Sequence, residues 1–174
     1  TGFAELNKSL GGGWSQKSVH VIAAGREEGK TAFLLGQAIH LAGKNGVLFV
    51  SREMKFNECV TRAASYIHKA SIFEPAAKAG LIGPEGETAR EKYRAAVKAA
   101  GSLLPEHLFF RGADSSLNCY SLDELVELLK MIPSGQGKIL VVDGLSGDEL
   151  ARQPGFFEGL RAKAGSAGFT ALIS

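Results

Sequence analysis

The sequence predicts an α/β fold in which a parallel sheet is covered by helices on both faces, giving three layers. Three observations support this prediction. Apolar runs alternate with segments of helical periodicity, which is the order that parallel strands and crossover helices require. The runs VLFV and ILVV are apolar at consecutive positions, as expected of strands buried on both faces. A glycine-containing turn joins the first apolar run to the first helical segment.

The elements can be placed in order along the chain. Apolar runs predict strands at residues 19–24, 46–51, 107–110, 138–143 and 169–174. Helical spacing of apolar residues predicts helices at residues 30–42, 56–69, 85–100 and 121–131. The last of these begins with a capping box, in which Ser121 is followed three residues later by Glu124. Residues 72–86 are rich in Ala, Gly and Pro and are interpreted as a surface excursion.

Composition sets limits on the class of protein. The 174 residues are 45% hydrophobic and 22% charged, which fits one globular domain and excludes disorder and collagen. A net charge of +2 is too small to indicate a nucleic acid or membrane partner by itself. No apolar run is long enough to span a bilayer. Cys59 and Cys119 have no metal or disulfide spacing, so we expect reduced thiols and a cytoplasmic protein.

The segment AGREEGKT follows the first predicted strand and leads into the first predicted helix. It matches the phosphate-loop pattern GxxxxGK[ST] at Gly29, Lys30 and Thr31, with Ala24 in place of the first glycine. Glycine allows the backbone to approach phosphates, and the N–H groups of the loop and helix start bind anions. The Lys ammonium pairs with the outer phosphates, and the Thr hydroxyl can bind Mg²⁺. The strand–turn–helix context favours a phosphate loop over a simple turn with an exposed lysine.

Three acidic positions near this loop have open interpretations. Glu27 and Glu28 either point away from the loop, where they are solvated, or weaken nucleotide binding. Asp143 ends the strand ILVVD, at the sheet edge where ligands of α/β proteins bind, so with the phosphate loop it is a candidate partner of Mg²⁺. Glu53 follows the second strand in the sequence SREM and is either a general base or an acid favoured at a helix N-terminus.

Together these segments resemble the RecA-type motor domain of DnaB-like replicative helicases. The TGF start with Leu6 resembles the opening segment of that family, and Ala24 matches the alanine that the family commonly carries there. SREM at residues 51–54 reproduces the Ser-x-Glu-Met element of the family. The resemblance implies a RecA-like phosphate-loop core in which Glu53 is the catalytic base. It also points to Arg62, nine residues beyond Glu53, although an exposed helix charge is the alternative.

The resemblance implies an ATP hydrolase that uses ATP and Mg²⁺. It implies a homo-hexameric ring that hydrolyses ATP between subunits, with an arginine donated by a neighbour, and translocates on single-stranded DNA. Primase or a helicase loader is an expected partner. We predict Glu53 and Lys30 as catalytic residues and Thr31 and Asp143 as metal ligands. The predicted cofactor-binding residues are Ala24, Gly25, Arg26, Glu27, Glu28, Gly29, Lys30, Thr31 and Ala32.

Several departures from the family keep alternatives open. The loop after Asp143 is short, and a RecA-type core usually needs about 200 residues. We therefore expect residues 1–174 to be a single domain that is incomplete at its C-terminal end. The LGGG segment at residues 10–13 equally resembles RadA and KaiC-like ATPases of recombination and regulation. A third interpretation is a non-catalytic nucleotide-binding or interaction module without helicase activity, which the Glu27–Glu28 pair and the short loop suggest.

Overall fold

The computed structural model describes residues 1–68, 104–114, 121–145 and 152–174. Within these ranges one parallel sheet contains β1 (Val19–Val21), β2 (Gly46–Ser51), β3 (Leu108–Arg111), β4 (Lys138–Asp143) and β5 (Phe169–Ile173). The helices of the same ranges are α1 (Ala4–Ser9), α2 (Lys30–Ala42), α3 (Phe56–His68), α4 (Leu122–Leu128) and α5 (Phe156–Ala167). A 3₁₀ helix at Leu129–Met131 continues α4.

The strand order of the sheet is β1-β5-β4-β2-β3, and all four pairings are parallel. The register places Ser51 opposite Asp143 and Val142 opposite Ile173. Val21 in turn lies opposite Ile173. The carboxyl ends of β1, β2, β4 and β5 therefore reach the same edge of the sheet, which is the edge where open α/β sheets bind ligands.

Side chains of the central strands alternate between two hydrophobic cores. One core packs Leu48 and Leu140 against helices α4 and α5, and the other packs Phe49 and Val141 against α2 and α3. Each fully buried Leu, Val or Phe side chain contributes about 1.5–3 kcal/mol through its burial. The prediction of a parallel sheet between two helical layers is thus confirmed.

Most predicted elements that lie in the described ranges are present. The helix predicted at 30–42 is α2, and the helix predicted at 121–131 forms as α4 and its 3₁₀ extension. The capping box is formed, because Ser121 Oγ accepts the Glu124 N–H and Glu124 Oε2 accepts the Ser121 N–H. The helix predicted at 56–69 is observed as Phe56–His68. The predicted helix at 85–100 and the excursion at 72–86 lie outside the described residues.

Three differences concern the strand before the phosphate loop, the last helix and the first helix. The strand predicted at 19–24 has only the three residues Val19–Val21, because its partner β5 ends at the residue opposite Val21. Helix α5 was not predicted, and neither was α1. The glycines within α5 lower its helix propensity. The packing of Leu160 and Ala164 in the core therefore stabilises this helix more than its local sequence does.

The N-terminal segment is attached to the middle of α2. Gln37 on that helix is only 1% exposed. Its side chain accepts the indole N–H of Trp14 at 2.9 Å and donates to the carbonyl oxygen of Thr1 at 2.8 Å. Trp14 is also partly buried against the core that contains α2, so it has a packing role. No helix in the described ranges is both long and apolar enough to cross a membrane.

Candidate functional site

The turn between β1 and α2 has the backbone that the phosphate-loop pattern predicts. Gly29 caps α2 with a φ of 87°, a left-handed conformation that residues with a Cβ adopt only at a cost. Lys30 and Thr31 are the first two residues of α2, so they lie at the positive end of its helix dipole. The local sequence therefore places the Lys30 ammonium, the Thr31 hydroxyl and the first N–H groups of α2 at the same end of the helix.

Two charged side chains of this turn bond to its own backbone. The Lys30 ammonium donates to the carbonyl oxygens of Ala24 and Gly25, at 3.0 and 2.8 Å. The Glu28 carboxylate accepts the N–H of Gly25 at 2.5 Å. Glu28 thus folds back onto the loop rather than away from it, while Glu27 is exposed and has a φ of 63°. The interpretation that both acidic side chains point away from the loop is therefore wrong for Glu28.

Asp143 connects the loop with the carboxyl end of β4. The residue is buried, with only 2% of its surface exposed. The Thr31 hydroxyl lies 3.0 Å from both Asp143 carboxylate oxygens, across 112 residues of sequence. Burial raises the pKa of Asp143, and the Glu53 charge adds to this, while hydrogen bonds from Thr31 and Ser174 and the Arg62 charge lower it.

The SREM segment forms a turn that fixes Glu53 at the end of β2. Buried Ser51 accepts the Met54 N–H at 2.9 Å and the Glu53 N–H at 3.4 Å through its hydroxyl. Met54 is buried in the core beside it. Glu53, between these two anchors, is exposed and packs against Gly144, where a Cβ atom would lie 2.7 Å from the Glu53 Cγ. The turn therefore presents one carboxylate next to Asp143.

These groups surround one cavity of about 830 Å³, a size typical of small-molecule sites. Glu53, Arg62 and Asp143 all line it. Of the predicted cofactor-binding residues, Gly25 and Glu28 are not in the lining and bond to each other instead. The remaining predicted residues in the lining are Ala24, Arg26, Glu27, Gly29, Lys30, Thr31 and Ala32.

The donor set at this cavity fits Mg²⁺. A hydroxyl and a carboxylate converge at Thr31 and Asp143, and these are the oxygen ligands that Mg²⁺ takes from proteins. In the described part of the chain, no group of three or more His, Cys, Asp or Glu side chains could hold a metal by itself. Mg²⁺ usually takes only one or two carboxylates from a protein, and substrate phosphates and water complete its coordination. Cys59 is a buried free thiol, and burial raises its pKa to about 12.

A family model described as the DnaB-like helicase C terminal domain matches residues 1–146. The chain belongs to this family. No curated protein matches the chain by sequence. The phosphate loop, the Ser-x-Glu-Met turn and Asp143 all lie within the matched residues.

Two solved structures show the same fold as this DnaB-type domain. One is described as a DnaB-like replicative helicase and its interactions with primase, with 19% identity, a TM-score of 0.65 and coverage of 99% of this chain. The chain spans 41% of the length of that structure's chain. The other is the RadB recombinase, with 17% identity, a TM-score of 0.53 and coverage of 99% of this chain and 68% of that one. The fold of the DnaB-type domain is therefore RecA-like.

Two residues of the site in this DnaB-type domain were missed by the sequence reasoning. Ser174, after β5, bonds to Asp143, and Gly144 has a φ of 85° next to Glu53. The signal for Ser174 was available, because it is a polar residue at the end of an apolar run, as Asp143 is. Nothing in the local sequence of Gly144 indicates which side chain it would contact.

Proposed function

We propose that this domain binds ATP with Mg²⁺ and hydrolyses it as the motor of a DnaB-type helicase. In this proposal it works in a homo-hexameric ring and translocates on single-stranded DNA. The observation that carries the proposal is the contact of Thr31 with Asp143 at the cavity that Lys30 and Glu53 also line. Three separate segments meet there, each with a residue type that phosphoryl transfer uses.

On the phosphate side, Lys30 and the N–H groups of the loop bind the polyphosphate. The Lys30 ammonium already lies within the loop, where two carbonyl oxygens hold it. Thr31 and Asp143 would hold Mg²⁺, and the metal when bound neutralises phosphate charge. Because Thr31 and Asp143 are already in hydrogen-bond contact, these two oxygen donors need little reorganisation to share one cation.

At the same cavity, Glu53 orients the attacking water and accepts its proton. An exposed carboxylate held by a backbone turn can accept a hydrogen bond from water and remain in place. Arg62 lines the same cavity, so its positive charge contributes to the binding of the phosphates. Hydrolysis by this class of site depends mainly on positioning and charge stabilisation, which these side chains and an arginine from a neighbouring subunit provide.

The ring, the single-stranded DNA and a partner primase or helicase loader are parts of the proposal that rest on the family. The similar replicative helicase structure is described with its interactions with primase, and this makes primase the first partner to examine. The alternative of a RadA or KaiC-like ATPase has the same fold, as the RadB likeness illustrates. Unwinding of a forked duplex by the full-length protein separates the helicase from that alternative.

The proposed function is tested with two variants of the full-length protein. Lys30→Ala removes the phosphate-binding cation, so we expect ATP affinity to fall about 100-fold or more. Glu53→Gln keeps the shape of the side chain but removes the base, so we expect parental ATP affinity and turnover lower by about 10²–10⁴-fold. Binding of a fluorescent ATP analogue and steady-state phosphate release measure the two effects.

Matched controls make the result specific. Lys44→Ala removes an exposed lysine just beyond the other end of α2, and Glu158→Gln alters an exposed glutamate of α5. Both are expected to retain parental binding and turnover. Parental turnover in Glu53→Gln would show that the base is a different group. Absence of any Mg²⁺-dependent ATP binding in the parent would favour a module without helicase activity.

A further inference from the structure

Ser174 directly follows β5 and is held by four hydrogen bonds to the chain around Asp143. Its N–H donates to the Val142 carbonyl at 3.0 Å, and its carbonyl accepts the Leu145 N–H at 2.8 Å. Its hydroxyl donates to Asp143 Oδ1 at 3.1 Å and accepts the Gly144 N–H at 3.1 Å. A serine hydroxyl is one donor and two acceptors, so both side-chain bonds can form at once. Only 6% of the residue is exposed.

The first side-chain bond fixes the orientation of the Asp143 carboxylate. Thr31 contacts both carboxylate oxygens from the phosphate-loop side, and Ser174 contacts Oδ1 from the neighbouring strand. The carboxylate is therefore held by donors from two elements before any ligand binds. Such outer partners of a metal-binding carboxylate set its orientation and its affinity.

The second side-chain bond fixes the backbone turn after β4. Gly144 has a φ of 85°, and the Ser174 hydroxyl gives its N–H an acceptor inside the protein. Glu53 packs on the open side of this glycine, where a Cβ atom would come within 2.7 Å of the Glu53 Cγ. One hydroxyl thus stabilises both the Asp143 carboxylate and the surface against which Glu53 lies.

We propose that Ser174 is a positioning residue that orients Asp143 for the metal and holds the Gly144 turn that supports Glu53. The inference rests on the proposed function, since it assigns Ser174 a role in that site. Ser174 also lines the cavity, but its hydroxyl bonds to Asp143 and Gly144, so it acts on the site through these two neighbours. Its loss leaves the buried Asp143 carboxylate with one donor fewer and the Gly144 N–H without its acceptor.

The experiment compares Ser174→Ala with Ser174→Thr, which keeps a hydroxyl at the same position. In the full-length protein, the Mg²⁺ concentration for half-maximal binding of a fluorescent ATP analogue is measured. We expect Ser174→Ala to raise this concentration by about 10-fold or more, in the range typical of lost outer-sphere partners. Binding of the analogue in EDTA stays at the parental level, and Ser174→Thr stays within about three-fold of the parent.

The matched control is Thr170→Val. Thr170 lies on the same strand and is 9% exposed, and its hydroxyl bonds to Lys17 and Ser15 at the opposite edge of the sheet. This variant loses a hydroxyl of β5 without changing the surroundings of Asp143. We expect it to keep the parental Mg²⁺ dependence, even if both variants lose comparable stability. An equal shift in Thr170→Val would mean that the Mg²⁺ effect is a general loss of structure and would overturn the proposal.

Amide hydrogen exchange without nucleotide gives a second readout. In Ser174→Ala we expect the Gly144 N–H to exchange several-fold faster, because its acceptor is the lost hydroxyl. The Leu145 N–H bonds to the main-chain oxygen of residue 174 and is expected to change much less. If Ser174→Ala keeps the parental Mg²⁺ dependence and the parental exchange rate of the Gly144 N–H, the positioning role of Ser174 is overturned while the proposed function stands. If the parent binds no ATP with Mg²⁺, the proposed function fails and the role of Ser174 in it fails as well.

Discussion

The phosphate loop and the Asp143 edge meet at the Thr31–Asp143 contact, but they satisfy their polar groups in different ways. Residues 23–29 are all exposed, and the bonds of Lys30 and Glu28 within the loop span only three to six residues. Asp143 and Ser174 are buried. The side-chain partners of Asp143 lie 31 and 112 residues away in sequence.

This difference separates a local arrangement from one that the whole fold fixes. The loop can exchange its internal bonds for bonds to phosphate without disturbing the core, because its residues are exposed. The Asp143 edge cannot rearrange without breaking contacts between β4, β5 and α2. We therefore infer that, in the proposed function, the Asp143 side that would hold Mg²⁺ is preorganised by folding, and that the loop side adjusts when phosphate binds.

Gly144→Ala should produce the largest effect, because it changes the preorganised side at its most constrained point. A Cβ here combines a φ of 85° with an approach of 2.7 Å to the Glu53 Cγ. We expect turnover to fall about 100-fold as Glu53 is displaced. The free energy of unfolding should fall by about 1–3 kcal/mol from the backbone strain. Phosphate release and urea denaturation measure the two effects.

Gly165→Ala is the control for that variant. Gly165 lies within α5, and a Cβ atom there has no neighbour within 4 Å. This substitution should leave turnover unchanged and stabilise the protein by about 0.5–1 kcal/mol through helix propensity. Parental turnover in Gly144→Ala would mean that Glu53 does not depend on the turn after β4.

Asp143→Asn tests the electrostatic cost of the buried edge. Because burial raises the pKa of Asp143 above 3.8, the native state binds its proton more readily than the unfolded state does. Stability should therefore decrease as pH rises from 3.8 through the native pKa of Asp143, and the full loss is present above that pKa. Asparagine carries no charge, so without Mg²⁺ and nucleotide we expect Asp143→Asn to be more stable than the parent at neutral pH.

The measurement for Asp143→Asn is the urea midpoint of variant and parent across a pH series. The stability difference between them should shrink as the pH approaches 3.8, where the Asp143 carboxyl is protonated in the native state. A difference that stays constant over the series would show that burial does not disfavour the Asp143 charge. A variant with parental Mg²⁺-dependent ATP binding would contradict the role of Asp143 as a metal ligand.

Glu28→Gln should produce the smallest effect, because it changes the adjustable side. The Glu28 carboxylate accepts a loop N–H that phosphate would otherwise use. A neutral amide oxygen accepts this N–H more weakly than a carboxylate does, so ATP binding should tighten by about two- to five-fold. Glu27→Gln removes a neighbouring charge that takes no part in this bond. Comparison of the two variants therefore separates competition between Glu28 and phosphate for the Gly25 N–H from general repulsion between acidic side chains and phosphate. Weaker binding in Glu28→Gln would mean that this carboxylate shapes the loop for its ligand.

The sequence by itself determined the elements whose signals are local. Runs of apolar residues located β2 and β4, the glycine before Lys30 indicated the loop, and the Ser121 capping box located the start of α4. The resemblance to DnaB-like helicases followed from the same short segments and agrees with the family match. These signals are readable because strand burial, helix capping and glycine φ angles depend on residues within a few positions of each other.

Tertiary structure decided which of these segments meet. The strand order that puts β5 between β1 and β4 brings Ser174 to Asp143, and the turn after β4 brings Gly144 to Glu53. Helix α5 also depends on its core contacts, since its glycines weaken the local helical signal. Asp143 forms hydrogen bonds with residues that lie 31 and 112 positions away in the sequence. Such distant pairs leave no trace in the local periodicity of the sequence. They form only because the packing of the sheet places the carboxyl ends of its strands at one edge.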